Sequence, residues 1–410
     1  MYIPRDLEKE IRKYLSAREI IAIVGARQCG KTTLILNLLK QLENKKSIKA
    51  ISFDDIKTLS LFENDMDSFC QLYVKDYDLL FIDEVQYAKE SGKKLKYIYD
   101  NFSIKMIISG SSSSELSVQS LKYLVGRIFI FTLYPFSFKE FLLAQNPRLV
   151  PLYEKAKYGA EITVELNHQL QEFILFGGYP RVVLAKNHEE KITVLKNIVN
   201  TYLLREIREV LGLKEDFKLL KLIKSLSLQI GNLVNYNELS SLSELSYSDV
   251  KSYLNILEKT FICSLMLPFQ SNKRTELVKN PKVYFYDLGF RNIIIDNFSV
   301  ERADLGGMHE NFIFSELVKN NFIPKYWRTK SKAEVDFILE KGKDVIPIEV
   351  KVNLSATNIT RSFQSFLEKY HPSMGFITSS CFEDQLKVSP GKVHFIPHVK
   401  LISYLNAYIK

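Results

Sequence analysis

"IIAIVGARQCGKTTLILNLL", residues 20–39, decides the reading of the first third of the chain. An unbroken apolar run with β-branched residues suits a strand buried on both faces. It ends in two glycines spaced around four residues, then a lysine and two threonines. Gly25 and Gly30 let the backbone turn tightly and approach an anion. The N–H groups of Gly25, Ala26, Arg27, Gln28, Cys29, Gly30, Lys31, Thr32 and Thr33 are thereby expected to cradle phosphate. Beyond the loop, Leu34, Ile35, Leu38, Leu39 and Leu42 share one face, as in a helix packed on a sheet. That helix offers its positive N-terminus to the same anion. Strand, loop and helix together make a phosphate-binding loop, with Lys31 reaching the terminal phosphates and Thr32 a ligand of Mg²⁺.

Two further runs supply partners. "LLFIDEVQ" (79–86) is an apolar strand ending in two carboxylates. Asp83 is expected in the Mg²⁺ shell, and Glu84 is the natural general base for a water attacking the γ-phosphate. "KMIISGSSSSEL" (105–116) is another buried strand ending in small polar residues, from which Ser109 or Ser111 would sense or orient that phosphate. With "AISF" and "IFIFTL", these alternations predict an α/β domain with a parallel sheet over residues 1–135.

Taken together, the motifs resemble the AAA+ branch of P-loop ATPases. More narrowly, the chain resembles a family of prokaryotic ATPases whose AAA core precedes a C-terminal domain of unknown function. The resemblance rests on "GARQCGKTTL", "SFDD" (52–55), "FIDEVQ", "SGSSS", "LVGRIFIFTLYPFSFKEFL", "FGGYP", "YLLREI", "GGMHENFIFSEL", "YWRTKSKAEVDFIL" and "IEVK", and so spans nearly the whole length. It implies ATP binding and Mg²⁺ dependence. Cys29 stands where that family usually has an aliphatic residue, and Glu206 where it usually has aspartate. Arg127 in "LVGRIF" matches a recurrent Gly-Arg, as a phosphate contact in cis, an arginine finger from a neighbouring subunit, or a structural salt bridge. Arg205 is a second candidate for that role.

Composition sets outer bounds. At 410 residues and 46% hydrophobic content, two or three globular domains are expected. No apolar run approaches the roughly 18 residues that span a bilayer, so no membrane partner is expected and a cytoplasmic protein is. Cys29, Cys70, Cys263 and Cys381 match no metal or disulfide spacing and read as reduced. A net charge of +9 suits DNA as a partner, although the lysines are spread rather than blocked and equally suit a solvated surface.

From "PFSFKEFL" to about residue 230 the pattern is helical, broken at "FGGYP" (176–180), and is read as a lid over 136–230. Residues 236–260 read as helix, turn, helix, with Val250, Tyr253, Leu254 and Leu257 inward, giving a winged-helix module over 231–275. The outward positions of its second helix, Ser246, Ser248, Asp249, Lys251, Ser252 and Asn255, are a poor inventory for binding phosphates. Docking is favoured there over base reading.

Strands return in "KVYFYD", "AEVDFILE", "VIPIEVK", "MGFITS" and "VHFIP". If "AEVDFILE" and "VIPIEVK" form a hairpin, Asp336, Glu349 and Lys351 converge, because strand side chains repeat every two residues. Two carboxylates then bind Mg²⁺ while the lysine positions a water. Glu316 or Glu310 on the preceding helix would complete the set, and His309 is read as a satisfied helix residue. The constellation resembles the PD-(D/E)XK nuclease superfamily over 276–410. A salt-bridge network on the same fold is the competing reading. The expected whole is an Mg²⁺-dependent ATPase with a nuclease-like domain acting on DNA, as single chains or a homo-oligomer. A nucleotide-dependent switch that binds a protein partner is the alternative.

Overall fold

The apolar runs of the first 135 residues pair into one parallel sheet. In this computed structural model, β1 (Ile20–Gly25), β2 (Ile48–Ser52), β3 (Leu79–Asp83), β4 (Lys105–Ser111) and β5 (Ile128–Leu133) lie in the order β2-β3-β4-β1-β5. The structure describes residues 2–44, 46–111, 121–155, 158–201, 207, 217–270, 272–276 and 278–409. Arg205, Glu206 and the serines after Ser111 lie outside them, as does the side chain of Ser111.

Both faces of the sheet are covered, which is why its strands carry no polar alternation. Ile20, Ala22, Leu80, Ile82, Met106 and Ile108 pack on one side with Phe53, Phe62 and Phe69. Ile21, Ile23, Leu79, Phe81 and Ile107 pack on the other with Leu34, Ile35 and Leu38 of the helix Lys31–Lys40. Each fully buried side chain of this kind contributes about 1.5–3 kcal/mol.

Contacts divide the chain into two units. One comprises Met1–Phe136, Asn200–Glu215 and Asn255–Ile262; the other comprises Ser137–Val199, Asp216–Leu254 and Cys263–Lys410. Most of the helical stretch, most of the helix–turn–helix stretch and the C-terminal sheet, which the sequence divides into three segments, thus share one unit.

In that second unit, Ser137 and Glu140 form a reciprocal capping box at the start of Phe138–Gln145, which explains the "FSFKE" spelling. The long helix Ala160–Phe176 stops at Gly177, whose φ is +76°. A Cβ there would lie 2.1 Å from Asp287 Oδ1. The Asp287 carboxylate accepts from Gly178 N at 2.6 Å and from Phe290 N at 2.9 Å, capping the helix Leu288–Ile294. "FGGYP" is thus a seat for a buried carboxylate as well as a helix stop.

Helices Tyr236–Ser243 and Tyr247–Lys259 form the expected helix–turn–helix, with Val250, Leu254 and Leu257 buried and Tyr253 half-buried. An antiparallel pair follows, β6 (Cys263–Met266) with β7 (Lys282–Phe285). The outward positions are all exposed, and the ammonium of Lys251 sits 4.6 Å from the centre of the Tyr247 ring.

The C-terminal sheet has six strands: β8 (Lys325–Arg328), β9 (Glu334–Lys341), β10 (Asp344–Val350), β11 (Met374–Ser379), β12 (Asp384–Val388) and β13 (Gly391–Pro397). Their order is β12-β13-β11-β10-β9-β8, with β10-β11 and β11-β13 parallel and the remaining pairs antiparallel. Phe363 and Phe366 of the helix Arg361–Tyr370 pack on Trp327, Val335, Ile338, Ile377 and Phe395. Three short strands, β6, β8 and β12, are not among those read from the sequence. Among the described residues no helix is long and apolar enough to cross a membrane, and all four cysteines are free thiols.

Gly177→Ala should destabilise the second unit by about 1–3 kcal/mol, through the clash with Asp287 and the left-handed backbone together. Urea unfolding followed by fluorescence of Trp327, the one tryptophan and a buried core residue, reads this directly.

Candidate nucleotide site and C-terminal carboxylate cluster

β4 lies between β1 and β3, so the loop after β1 and the carboxylates after β3 flank one strand end. Gly25 leaves β1 with φ +152°, and a Cβ there would stand 2.0 Å from the carbonyl oxygen of Leu133. Gln28 and Gly30 hold φ of 59° and 93°, and Gly30 caps the helix that starts at Lys31. Ala26 and Cys29 point inward and are fully buried. The Cys29 thiol donates to Ala26 O at 2.8 Å and Leu133 O at 3.3 Å, so the loop's curl is packed as well as bent. Gln28 and Thr33 are exposed, while Arg27 extends to the Tyr87 hydroxyl at 3.3 Å.

Lys31 is buried, and its ammonium donates to the carbonyls of Gly25 and Ala26, each at 2.9 Å. This fixes the charge over the loop rather than in solvent. The Thr32 hydroxyl donates to Asp83 Oδ2 at 2.7 Å, and the Ser109 hydroxyl donates to Asp83 Oδ1. Three of the expected residues therefore meet at one carboxylate. Glu84 follows in a left-handed conformation, φ 54°, and accepts from the Gln86 side chain. That turn takes Glu84 out of the strand direction at the tip of β3.

Arg5 belongs to this site and is missed by a motif reading. Its guanidinium is buried, donates to Cys29 O at 2.8 Å and Tyr134 O at 2.7 Å, and lies 4.8 Å from the centre of the Phe136 ring. It ties the phosphate loop to the end of β5. The only sequence signal is a lone arginine after Pro4, too common to read unaided.

Arg127 requires a correction. Its carbonyl accepts from Ile20 N at 2.8 Å, so it stands at the start of β1, while the loop follows the other end at Gly25. Five strand steps of about 3.3 Å separate the two ends. Its side chain pairs with Asp100 at 2.9 Å. A contact in cis with this chain's own phosphate loop is excluded by that placement, and the salt-bridge reading is the one seen.

In the second unit, β9 and β10 form the expected hairpin, with Phe337 opposite Ile348. Continuing that register brings Asp336 opposite Glu349. Asp336 Oδ2 accepts from Val350 N at 2.8 Å. Glu349 is buried and accepts from Lys351 Nζ at 2.7 Å and Thr360 Oγ1 at 2.9 Å. The carboxyl of Asp336 is pushed up to about 8, first by burial and then by the charge of Glu310. Lys351 is raised as well: its own burial opposes this, but Glu349, Asp336 and Glu310 outweigh it.

Glu316 does not join them. Its Oε1 accepts from Phe138 N at 3.0 Å, at the first turn of Phe138–Gln145. On the helix Leu305–Lys319 the six positions from 310 to 316 turn the two side chains apart, since a helix repeats every 3.6 residues. Among the described residues no three His, Cys, Asp or Glu side chains are grouped to hold a metal, so a Glu316, Asp336 and Glu349 ion site is not formed. His309 also departs from expectation. Its ring stacks on His398 at 4.6 Å, its Nδ1 has no hydrogen-bond partner among the described residues, and burial lowers it to about 4. It lines a cavity of about 370 Å³ with Asn167, Arg302 and Met308. Arg328 pairs with Glu334 at 2.9 Å.

Arg127→Ala should cost less than about 1 kcal/mol, as exposed ion pairs do, and leave nucleotide affinity unchanged. Arg5→Met strands two buried carbonyls at about 1–3 kcal/mol each, and should weaken ATP binding in a fluorescent-nucleotide titration.

Comparison with known proteins agrees on the first domain. Residues 17–142 match the model of an AAA domain, while 167–301 and 305–398 match two domains of unknown function, DUF8612 and DUF4143. The uncharacterized protein MJ1544 of Methanocaldococcus jannaschii is 25% identical over 371 residues, 88% of this chain and 80% of its own. An uncharacterized protein of Haemophilus influenzae is 27% identical over 351 residues, 81% of this chain and 82% of its own. Among solved structures, the Walker-type ATPase PABY2304 of Pyrococcus abyssi aligns with TM-score 0.45 at 13% identity, over 72% of this chain and 96% of that one. The Aeropyrum pernix ORC1 protein, solved with DNA, aligns with TM-score 0.32 at 13% identity, over 72% and 93%. The N-terminal sheet with its phosphate loop is thus the part of the chain that is similar to an AAA domain.

Proposed function

We propose that this chain is an Mg²⁺-dependent ATPase whose turnover drives a change in its second unit. The observation that carries the reading is the Thr32 hydroxyl held 2.7 Å from Asp83 Oδ2 directly below the glycine-rich loop. Hydroxyl and carboxylate oxygens are the hard donors that Mg²⁺ takes, and two protein ligands suit an ion that keeps its remaining positions for water and phosphate. The loop fits the nucleotide too, since both Gly25 and Gly30 use backbone that a side chain would obstruct or strain. Thr32 and Asp83 would hold Mg²⁺ there, and the ion would supply positive charge to offset the charge that develops on the phosphate.

The chain's own residues do the rest. Lys31 exchanges the carbonyls of Gly25 and Ala26 for phosphate oxygens, a short movement because its ammonium already lies over the loop. Ser109 keeps the Asp83 carboxylate turned toward Thr32. Glu84 takes a proton from the attacking water, with Gln86 fixing the carboxylate's orientation. Ion pairing of Lys31 with phosphate is stronger than its present neutral contacts, so nucleotide binding is favoured over the closed loop.

DNA is the partner we favour for the second unit, from the net charge of +9 and the nuclease-like D…ExK hairpin, in which Asp336, Glu349 and Lys351 come together. The helix–turn–helix is read as the docking part of a winged-helix module, because its outward face has one lysine.

Lys31→Ala should abolish ATP binding. Glu84→Gln should keep binding and lower the hydrolysis rate by about 10²–10⁴, the usual contribution of a general base. Phosphate release measured alongside nucleotide affinity separates the two. Undiminished hydrolysis in Glu84→Gln would sink the assigned base, and a protein that binds but never hydrolyses is the switch of the alternative reading. DNA binding should weaken steeply as salt rises; a flat response removes DNA.

A further inference from the structure

The nuclease-like hairpin already contains a cation. Lys282, at the start of β7, is 2% exposed and places its Nζ 2.6 Å from Glu334 and 3.1 Å from Glu310 Oε1. The Tyr284 hydroxyl donates to the same Glu310 oxygen from the same face of β7. Burial alone would lower the lysine, but Glu310, Asp336 and Glu334 together raise it, so it stays charged. Its backbone is held on both sides of β7, by Met266 of β6 and by a bridge to Leu233. The ammonium is therefore delivered by a fixed strand rather than by a mobile loop.

Several of the carboxylate oxygens around it are also engaged. Glu310 Oε1 serves Lys282 and Tyr284, Asp336 Oδ2 serves Val350 N, and both Glu349 oxygens serve Lys351 and Thr360. A divalent ion needs several such oxygens turned toward one point, and among the described residues no group of three is so arranged. It would also have to sit beside a buried ammonium, where like charges repel strongly because the surroundings screen poorly.

We propose that the Lys282 ammonium is the resident cation of the Glu310, Glu334 and Asp336 cluster, and that the C-terminal domain takes no divalent ion. The donor set thus disagrees with the metal that the D…ExK arrangement implies. The domain keeps the nuclease-like frame as a salt-bridge network, and DNA it meets is bound without being cut. This stands independently of the ATPase reading.

The test uses the full-length protein without nucleotide and Mn²⁺ as the probe, followed by electron paramagnetic resonance. Unmodified protein should show no Mn²⁺ binding that Asp336→Asn removes. Lys282→Met, which keeps the stem and deletes the charge, should gain a site at least about tenfold tighter, lost again in the Lys282→Met and Asp336→Asn double variant. An Asp336-dependent Mn²⁺ site in the unmodified protein overturns the proposal, as does a folded Lys282→Met that gains none. Should Lys282→Met fail to fold, acetylation of unmodified protein read by mass spectrometry decides. Lys282 should stay protected at every Mn²⁺ concentration, and labelling that rises with Mn²⁺ overturns the assignment.

Discussion

One carboxylate ties the first unit's chemistry together. Asp83 stands at the tip of β3 and accepts hydroxyl hydrogens from Thr32, beyond β1, and Ser109, on β4. Those groups are far apart in sequence, and only the insertion of β4 between β1 and β3 brings them to one point. A buried carboxylate left without such donors is expensive, so the sheet order and the side-chain identities constrain each other. The same packing holds the loop: the backbone leaves β1 pressed against Leu133, and Arg5 closes the gap from the other side. The site is rigid because its parts are also structural.

The second unit repeats this logic with different groups. Asp287 enters the space that Gly177 leaves, and caps one helix while ending the approach of another. Lys282 pairs with both Glu310 and Glu334 where the β9–β10 hairpin meets the helix Leu305–Lys319. Buried ionic groups of this sort rarely add much stability, but removal of a single partner is costly because it leaves a charge uncompensated. Such a network fixes which strand lies where. It also restricts the chemistry, since oxygens already given to ammonium and hydroxyl groups are not available to an ion.

Much of the fold was legible because burial on both faces leaves apolar runs in β1, β3 and β4, the inner strands of the first sheet. The loop residues were legible because a phosphate cradle demands glycine at two fixed positions. The hairpin that pairs β9 with β10 followed from simple alternation. What escaped were pieces whose sequence carries no period: the four-residue β6 and β8, the buried guanidinium of Arg5, and the lysine that opens β7. Arg127 and Glu316 misled for the opposite reason. Each has the right residue type near the right motif, but one stands at the wrong end of its strand and the other on the wrong side of its helix.

The sequence by itself determined the phosphate loop, the acidic strand tip and the alternation of the C-terminal hairpin, because these depend on local backbone geometry and on periods of two and 3.6 residues. Only the tertiary structure decided which charges meet. That depends on strand order and on which strand ends lie side by side, and a linear spacing contains neither. Lys282 lies 28 residues from Glu310 and 52 from Glu334, and reaches both because β7 runs past the helix and hairpin that carry them.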